Sequence, residues 1–266
     1  MAASTDALSA DRGSDDQMIG QWHLADEQAT GNFGAALAPL LNTGDVICLN
    51  GDMGTGKTCL ARSLISARCG AGITVPSPTF NLVLTYDMPD DLPIWHFDLY
   101  RISDPEELIE LGYDDALRQG ISLIEWPGNG GDEIPDTHLR IDLREQAGGG
   151  RTLCVSGDQH WRDRLGTENQ LDRRYAMARM FSENGWQHAR VAQFRADASF
   201  RSYDRAYHPD GRRAVLMNAP PGKEDIRPFM QVGGFLADFG FCPPEFYCHD
   251  AEAGWLLLVQ CSAHCE

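Results

Sequence analysis

Lysine is almost missing from this chain: among 266 residues only Lys57 and Lys223 occur. Cationic charge as a whole is short, with 22 Lys and Arg against 39 Asp and Glu and a net charge of −17. The shortage is uneven, because residues 1–150 hold 8 basic and 24 acidic side chains while residues 151–266 hold 14 and 15. A first half this acidic repels a nucleic-acid backbone, so direct phosphate-backbone binding is excluded there and any such chemistry would run through a partner. No apolar run approaches the roughly 20 residues of a membrane helix, and the first eighteen residues lack the apolar core of a secretory signal. The expectation is a cytoplasmic protein with no membrane partner. None of the eight cysteines forms a C-x-x-C pair. Cys48, Cys59 and Cys69 read as ordinary reduced thiols, and Cys261, His264 and Cys265 as either a metal-binding trio or an incidental cluster.

What is present is a complete G-x-x-x-x-G-K-[ST] pattern, Gly51-Asp52-Met53-Gly54-Thr55-Gly56-Lys57-Thr58. Before it, Val46-Ile47-Cys48-Leu49 reads as a buried strand. After it, Lys57 to Cys69 reads as a helix with Leu60, Leu64 and Ile65 on one face. The glycines let the backbone wrap phosphate oxygens and aim N–H groups inward, and the helix N-terminus favours the anion. Lys57 would reach the β- and γ-phosphates, and the Thr58 hydroxyl would ligate Mg²⁺. One of the two lysines thus sits in a phosphate loop.

The surrounding segments complete an α/β unit. Asp26 to Thr30 opens a helix through Phe33, Leu37 and Leu40 that Asn42-Thr43-Gly44 ends. Ser77-Pro78-Thr79 is stiffened by prolines, which suits a γ-phosphate sensor and equally an ordinary turn. A strand through Trp95-His96-Phe97 ends in Asp98, and another, Ile121 to Ile124, ends in Glu125. An acid at the carboxyl end of a central strand stands where Mg²⁺ is held in open α/β sheets, although one of the two could merely cap a helix. Ser103-Asp104-Pro105-Glu106 is expected to be a capping box. Strands over 139–143 and 152–155, joined by a Gly-rich hairpin turn, close the sheet antiparallel. The fold class predicted is a P-loop NTPase domain over residues 19–166, its mainly parallel sheet closed by antiparallel strands, behind a disordered tail at 1–18.

The phosphate loop, Ser77-Pro78-Thr79-Phe80, His96-Phe97-Asp98-Leu99-Tyr100-Arg101, Asp104-Pro105-Glu106-Glu107-Leu108 and Ile124-Glu125-Trp126-Pro127 together resemble the TsaE (YjeE) family. Asp26-Glu27-Gln28-Ala29-Thr30 is similar to that family's N-terminal segment. The resemblance implies an ATP- and Mg²⁺-binding ATPase that acts with TsaD and TsaB proteins in threonylcarbamoyladenosine modification of tRNA, reaching tRNA only through them. Carried over by position, Gly51 to Thr58 and Cys59 would cradle the nucleotide, with Lys57, Asp98 and Glu125 catalytic. Thr58 and Glu125 would hold the metal, Asp98 the metal or the attacking water. Thr30 would lie near the nucleoside, Thr79 near the γ-phosphate, and Trp126 near the nucleotide or a partner, unless Trp126 is a plain core residue. GTP is disfavoured, since neither lysine stands in an Asn-Lys-x-Asp setting.

Residues 167–266 change character. Helices are expected over 170–184 and 226–239, and strands over 189–194, 200–207, 212–217 and 254–258, with His208-Pro209-Asp210-Gly211 as a hairpin turn. Arg195 to Tyr203, Val215 to Pro221 and Trp255 to Leu258 resemble the N-terminal lobe of aminoglycoside-phosphotransferase-like (amino-sugar) kinases, with Asp197 to Arg201 where a phosphate-covering loop sits. Met217-Asn218 departs from that family's strand lysine, and its catalytic lobe is not present. The expectation is a truncated, partial α+β lobe without catalysis and with apolar surface exposed at its last strand, Trp255 to Leu258, where the absent lobe would pack. A bifunctional amino-sugar kinase and a non-catalytic docking module are the alternatives.

Overall fold

Val46, Ile47, Cys48 and Leu49 are all shielded from solvent, so the strand they form is covered on both faces and belongs at a sheet centre. The computed structural model describes residues 16–70, 73–87, 92–166, 170–196 and 200–260. In chain order the elements are β1 (Gln17–Leu24), α1 (Glu27–Leu37), β2 (Val46–Asn50), α2 (Lys57–Cys69), β3 (Val83–Tyr86), β4 (Ile94–Asp98), α3 (Glu107–Glu110), α4 (Tyr113–Gln119), β5 (Ile121–Glu125), β6 (Leu139–Glu145), β7 (Arg151–Gly157) and α5 (Gln159–Gly166). There follow α6 (Gln170–Glu183), β8 (Arg190–Ala196), β9 (Ser202–Tyr207), β10 (Arg213–Asn218), α7 (Arg227–Asp238), β11 (Phe246–Asp250) and β12 (Trp255–Val259).

The described residues sort into two compact units. One lies within Met1–Glu27, Leu40–Ala61 and Pro76–Asn169; the other within Gln28–Pro39, Arg62–Val75 and Gln170–Glu266. The first unit contains a seven-stranded sheet in the order β1-β7-β6-β2-β5-β4-β3. Its middle, β6-β2-β5-β4, is parallel, and β7, β1 and β3 add antiparallel edges. Phe97, Ile124, Leu99, Leu108 and Tyr113 pack beside Val46 and Cys48 into one of its cores. In the other unit β11-β12-β10-β9-β8 form a wholly antiparallel sheet. Trp186, fully buried, anchors that unit's core with Phe181, Leu216, Trp255 and Leu257. The same unit holds α1 against α6: Phe33 and Tyr175 ring centroids are 6.0 Å apart, and Asn32 donates to Ser182 Oγ at 2.9 Å.

Several expectations shift. β1 begins at Gln17, so it claims two residues of the predicted tail. The edge strands β3 and β11 were not expected from the sequence, and α4 and α5 lie where no helix was predicted. The expected capping box at Ser103 does not form. The residue capping α3 is Glu106, whose side chain makes no capping hydrogen bond. In the turn before it Asp104 Oδ1 accepts from Glu106 N, while Glu107 Oε1 accepts from Ser103 N and Asp104 N, all at 3.1 Å. The apolar surface expected at the last strand is not found, since Trp255 to Leu258 of β12 are buried. Exposed apolar residues of the second unit lie instead on α7, none of whose residues is buried, with Val232, Phe235 and nearby Phe239 and Phe241 open to solvent. Cys261, His264 and Cys265, and Asp197 to Ser199 of the expected covering loop, lie outside the described residues.

Burial pushes the Cys48 thiol well up and the Cys248 thiol to about 11. An acid raised in the folded state keeps its proton longer than in the unfolded chain. The stability it contributes is therefore full below the ordinary thiol range and is lost as pH rises through about 11. Alkylation of the native protein near pH ~8 should thus mark exposed Cys242 first, with Cys48 and Cys248 at least about tenfold slower by mass spectrometry.

Candidate nucleotide-binding site

The phosphate loop leaves β2 and enters α2 with Lys57 as its first residue. Gly51, Gly54 and Gly56 take φ of 140°, 88° and 101°, a region that other residues rarely enter. At Gly51 space is also decisive, because a methyl there would collide with the Leu143 carbonyl of β6. Thr55 is buried and donates from Oγ1 to Asp52 O at 2.9 Å, bracing the turn, whereas Asp52 and Met53 are exposed at its crest.

Lys57 is 5% exposed and folds over its own loop. Its Nζ donates to Gly51 O at 2.7 Å and Asp52 O at 2.8 Å, and stands 3.8 Å from the Trp126 ring centroid. Trp126 holds a left-handed φ of 59° directly after β5, and its ring lies 5.1 Å from that of Tyr100. Burial lowers the Lys57 pKa, outweighing the opposing pull of Glu125, Asp98 and Asp52. A phosphate arriving at the loop would supply the missing counter-charge.

The two strand-end acids are direct register partners on β4 and β5, Asp98 opposite Glu125. Each is engaged by a hydroxyl from a different segment. Thr58 Oγ1 donates to Glu125 Oε2 at 2.9 Å, and Thr79 Oγ1 donates to Asp98 Oδ2 at 2.5 Å. Ser77 Oγ lies 2.7 Å from Thr79 Oγ1, so the proline-braced segment reaches the site as a hydroxyl pair. Asp98 Oδ1 also accepts from Tyr100 N at 3.1 Å. The other oxygen of Glu125 meets fully buried His96 Nε2 at 2.9 Å. That histidine was read from the sequence as a strand residue within a family motif, with no site role of its own; its place two before Asp98, on the same strand face, is the signal that could have found it.

Of the residues singled out from the sequence, the structure brings Gly51 to Thr58, Thr79, Asp98, Glu125 and Trp126 together. Cys59 follows on α2, half-buried, its Sγ 3.8 Å from Glu27 Oε1. Thr30 is fully buried in α1 and belongs to the second unit. A donor-lined loop at a helix start, one lysine, and two carboxylates each held by a hydroxyl can bind a polyphosphate and a hard divalent cation.

A parallel-centred α/β sheet carrying this loop defines a P-loop nucleotide-binding protein. Residues 24–153 match the family model described as threonylcarbamoyl adenosine biosynthesis protein TsaE. The TsaE protein of Rickettsia bellii is 46% identical over 121 residues, covering 46% of this chain and 83% of that protein. Those of Treponema pallidum and Bacillus subtilis are each 33% identical, covering 48% and 47% of this chain and 94% and 77% of theirs. This chain belongs to the TsaE family. The crystal structure of Bacillus subtilis YdiB aligns with a TM-score of 0.49 at 25% identity, covering 59% of this chain and 96% of that one.

Proposed function

We propose that this protein is the Mg²⁺-dependent ATPase subunit of threonylcarbamoyladenosine synthesis at position 37 of tRNA, working with TsaD- and TsaB-type partners. The observation that carries the reading is the Thr58–Glu125 hydrogen bond, which ties the phosphate loop to a strand-end acid inside a TsaE-family domain. Thr58 and Glu125 would hold the metal, which when bound neutralises charge on the phosphate oxygens. Asp98, oriented by Thr79 and the Tyr100 amide, would position the water that attacks the γ-phosphorus as the bond to ADP breaks. Lys57 would exchange its two loop carbonyls for phosphate oxygens. The acidity of the first 150 residues, 24 acidic against 8 basic side chains, supports leaving tRNA contact to partners.

The ATPase domain would run from Gln17, where β1 begins, to Gly166. Residues 167–266 would be a domain of phosphotransferase N-lobe type, supported by the antiparallel sheet β8 to β12 with α7, and we assign it no catalytic step. Reconstitution with TsaD- and TsaB-type proteins and an ANN-decoding tRNA tests the whole reading. The expected result is partner-stimulated ATP hydrolysis and repeated rounds of tRNA modification, with no phosphate transferred from labelled ATP to amino sugars. Absence of hydrolysis with and without partners would overturn the ATPase; labelled sugar phosphate would restore the kinase alternative.

A further inference from the structure

The loop stands in an acidic neighbourhood of Asp52, Asp98 and Glu125, and the Glu145 carboxylate lies 3.9 Å from where a Cβ on Gly54 would stand. A nucleoside triphosphate adds several further negative charges, and Lys57 is the only lysine near it in the sequence. A second cation reaches the loop from the opposite flank. β6 pairs with β2 up to Asn50↔Asp142, then turns through Gln146 to Gly150 and returns as β7, whose first residue is Arg151. Arg151 pairs with Glu145 across the hairpin and with Leu24 of β1.

Its side chain lies on the bare face of Gly56. A methyl built on that glycine would overlap Nη1 and stand 3.0 Å from the guanidinium carbon. Gly56 is needed for its φ of 101°, and its missing side chain leaves the space that the guanidinium occupies. Arg151 is half-buried, and among the described residues its guanidinium makes no hydrogen bond or ion pair. A planar five-donor fork resting on a phosphate loop without a carboxylate partner is suited to a phosphate oxygen.

Position decides which phosphate. Asp98 and Glu125 stand on β4 and β5, on one side of β2, whereas Arg151 arrives by way of β6 and β7 on the other. Glu125 would hold a divalent cation there, which would supply counter-charge to the phosphates that react, so the acid side takes the reacting end of the nucleotide. We propose that Arg151 is the second cation of the site and grips the nucleoside-proximal end of ATP, at the α-phosphate. This rests on the nucleotide-binding reading given above. Arg151 then sets the affinity for nucleoside di- and triphosphates alike and does not stabilise the γ-phosphoryl transition state.

Calorimetric titration of the full chain with ADP and with the non-hydrolysable analogue AMP-PNP, both with Mg²⁺, tests the assignment. Arg151→Ala should weaken both by a similar factor of about 10–100, the range of a charge-assisted hydrogen bond. Arg151→Lys should recover part of the loss. Turnover at ATP concentrations well below saturation should fall by a similar factor, because binding shared by ground and transition states acts on that rate. Should Arg151→Ala melt early, Arg151→Gln removes the charge and keeps the packing, and the same comparison is read from it. Unchanged ADP and AMP-PNP affinities would overturn the proposal, and so would normal ADP binding with a large loss of saturated turnover, which would place Arg151 at the γ-phosphate. A wild-type protein that binds neither nucleotide would instead overturn the nucleotide-binding reading itself.

Discussion

Lys57→Ala should abolish partner-stimulated ATP turnover, lowering it by about 10²–10³-fold or more, while the protein still folds. Lys57 Nζ is now held at 2.7 and 2.8 Å by two carbonyls of its own loop and lies 3.8 Å from the Trp126 ring centroid. These contacts keep the amine at the loop and leave it ready to trade carbonyl oxygens for phosphate oxygens. Folding should survive because burying a charged amine is itself costly, as its lowered pKa records. The two carbonyls set free belong to half-exposed Gly51 and exposed Asp52, where water can replace the amine. Thermal melting checks the fold and a phosphate-release assay checks turnover. Wild-type turnover in the variant would sink the assignment of this loop as the active site.

Glu125→Gln should produce the second large loss, about 10²-fold in turnover, with a raised Mg²⁺ requirement. The carboxylate is 2% exposed and is shared between Thr58 Oγ1 and His96 Nε2, both at 2.9 Å. An amide of the same size can keep both hydrogen bonds, so the substitution removes charge and little else. Asp98→Asn gives the contrast: turnover should fall with little change in the Mg²⁺ concentration for half-maximal rate, if Asp98 serves the water. Magnesium titrations of the two variants side by side read out this division. An unchanged Mg²⁺ profile in Glu125→Gln would remove that residue from the metal.

Much of the architecture was legible in the residue pattern because the signals were local. The loop, its strand and its helix were placed from Val46 to Cys69, and α2 runs over the expected Lys57–Cys69. β5 ends at Glu125 and β4 at Asp98, as their apolar runs closing on an acid implied. In the second unit α6, α7, β9, β10 and β12 fall within two residues of expectation, since their helical and alternating periods are clear. The elements missed were the edge strands β3 and β11 and the helices α4 and α5. Edge strands face water on one side and take their pairing from a neighbour, so their own residues carry a weaker pattern.

The sequence by itself determined the phosphate loop, the two strand-end acids and the family, because each rests on residue types at fixed short spacings. The tertiary structure alone decided the pairings. Thr58 engages Glu125 and Thr79 engages Asp98 across separations of 67 and 19 residues, distances over which no periodicity carries information. Arg151 is the extreme case. It was invisible as one arginine after a glycine turn, and it reaches Gly56 because β6 runs parallel to β2 and the hairpin returns β7 alongside. Strand order is set by which apolar faces pack together over the whole sheet, and that is a property of the folded chain rather than of any segment.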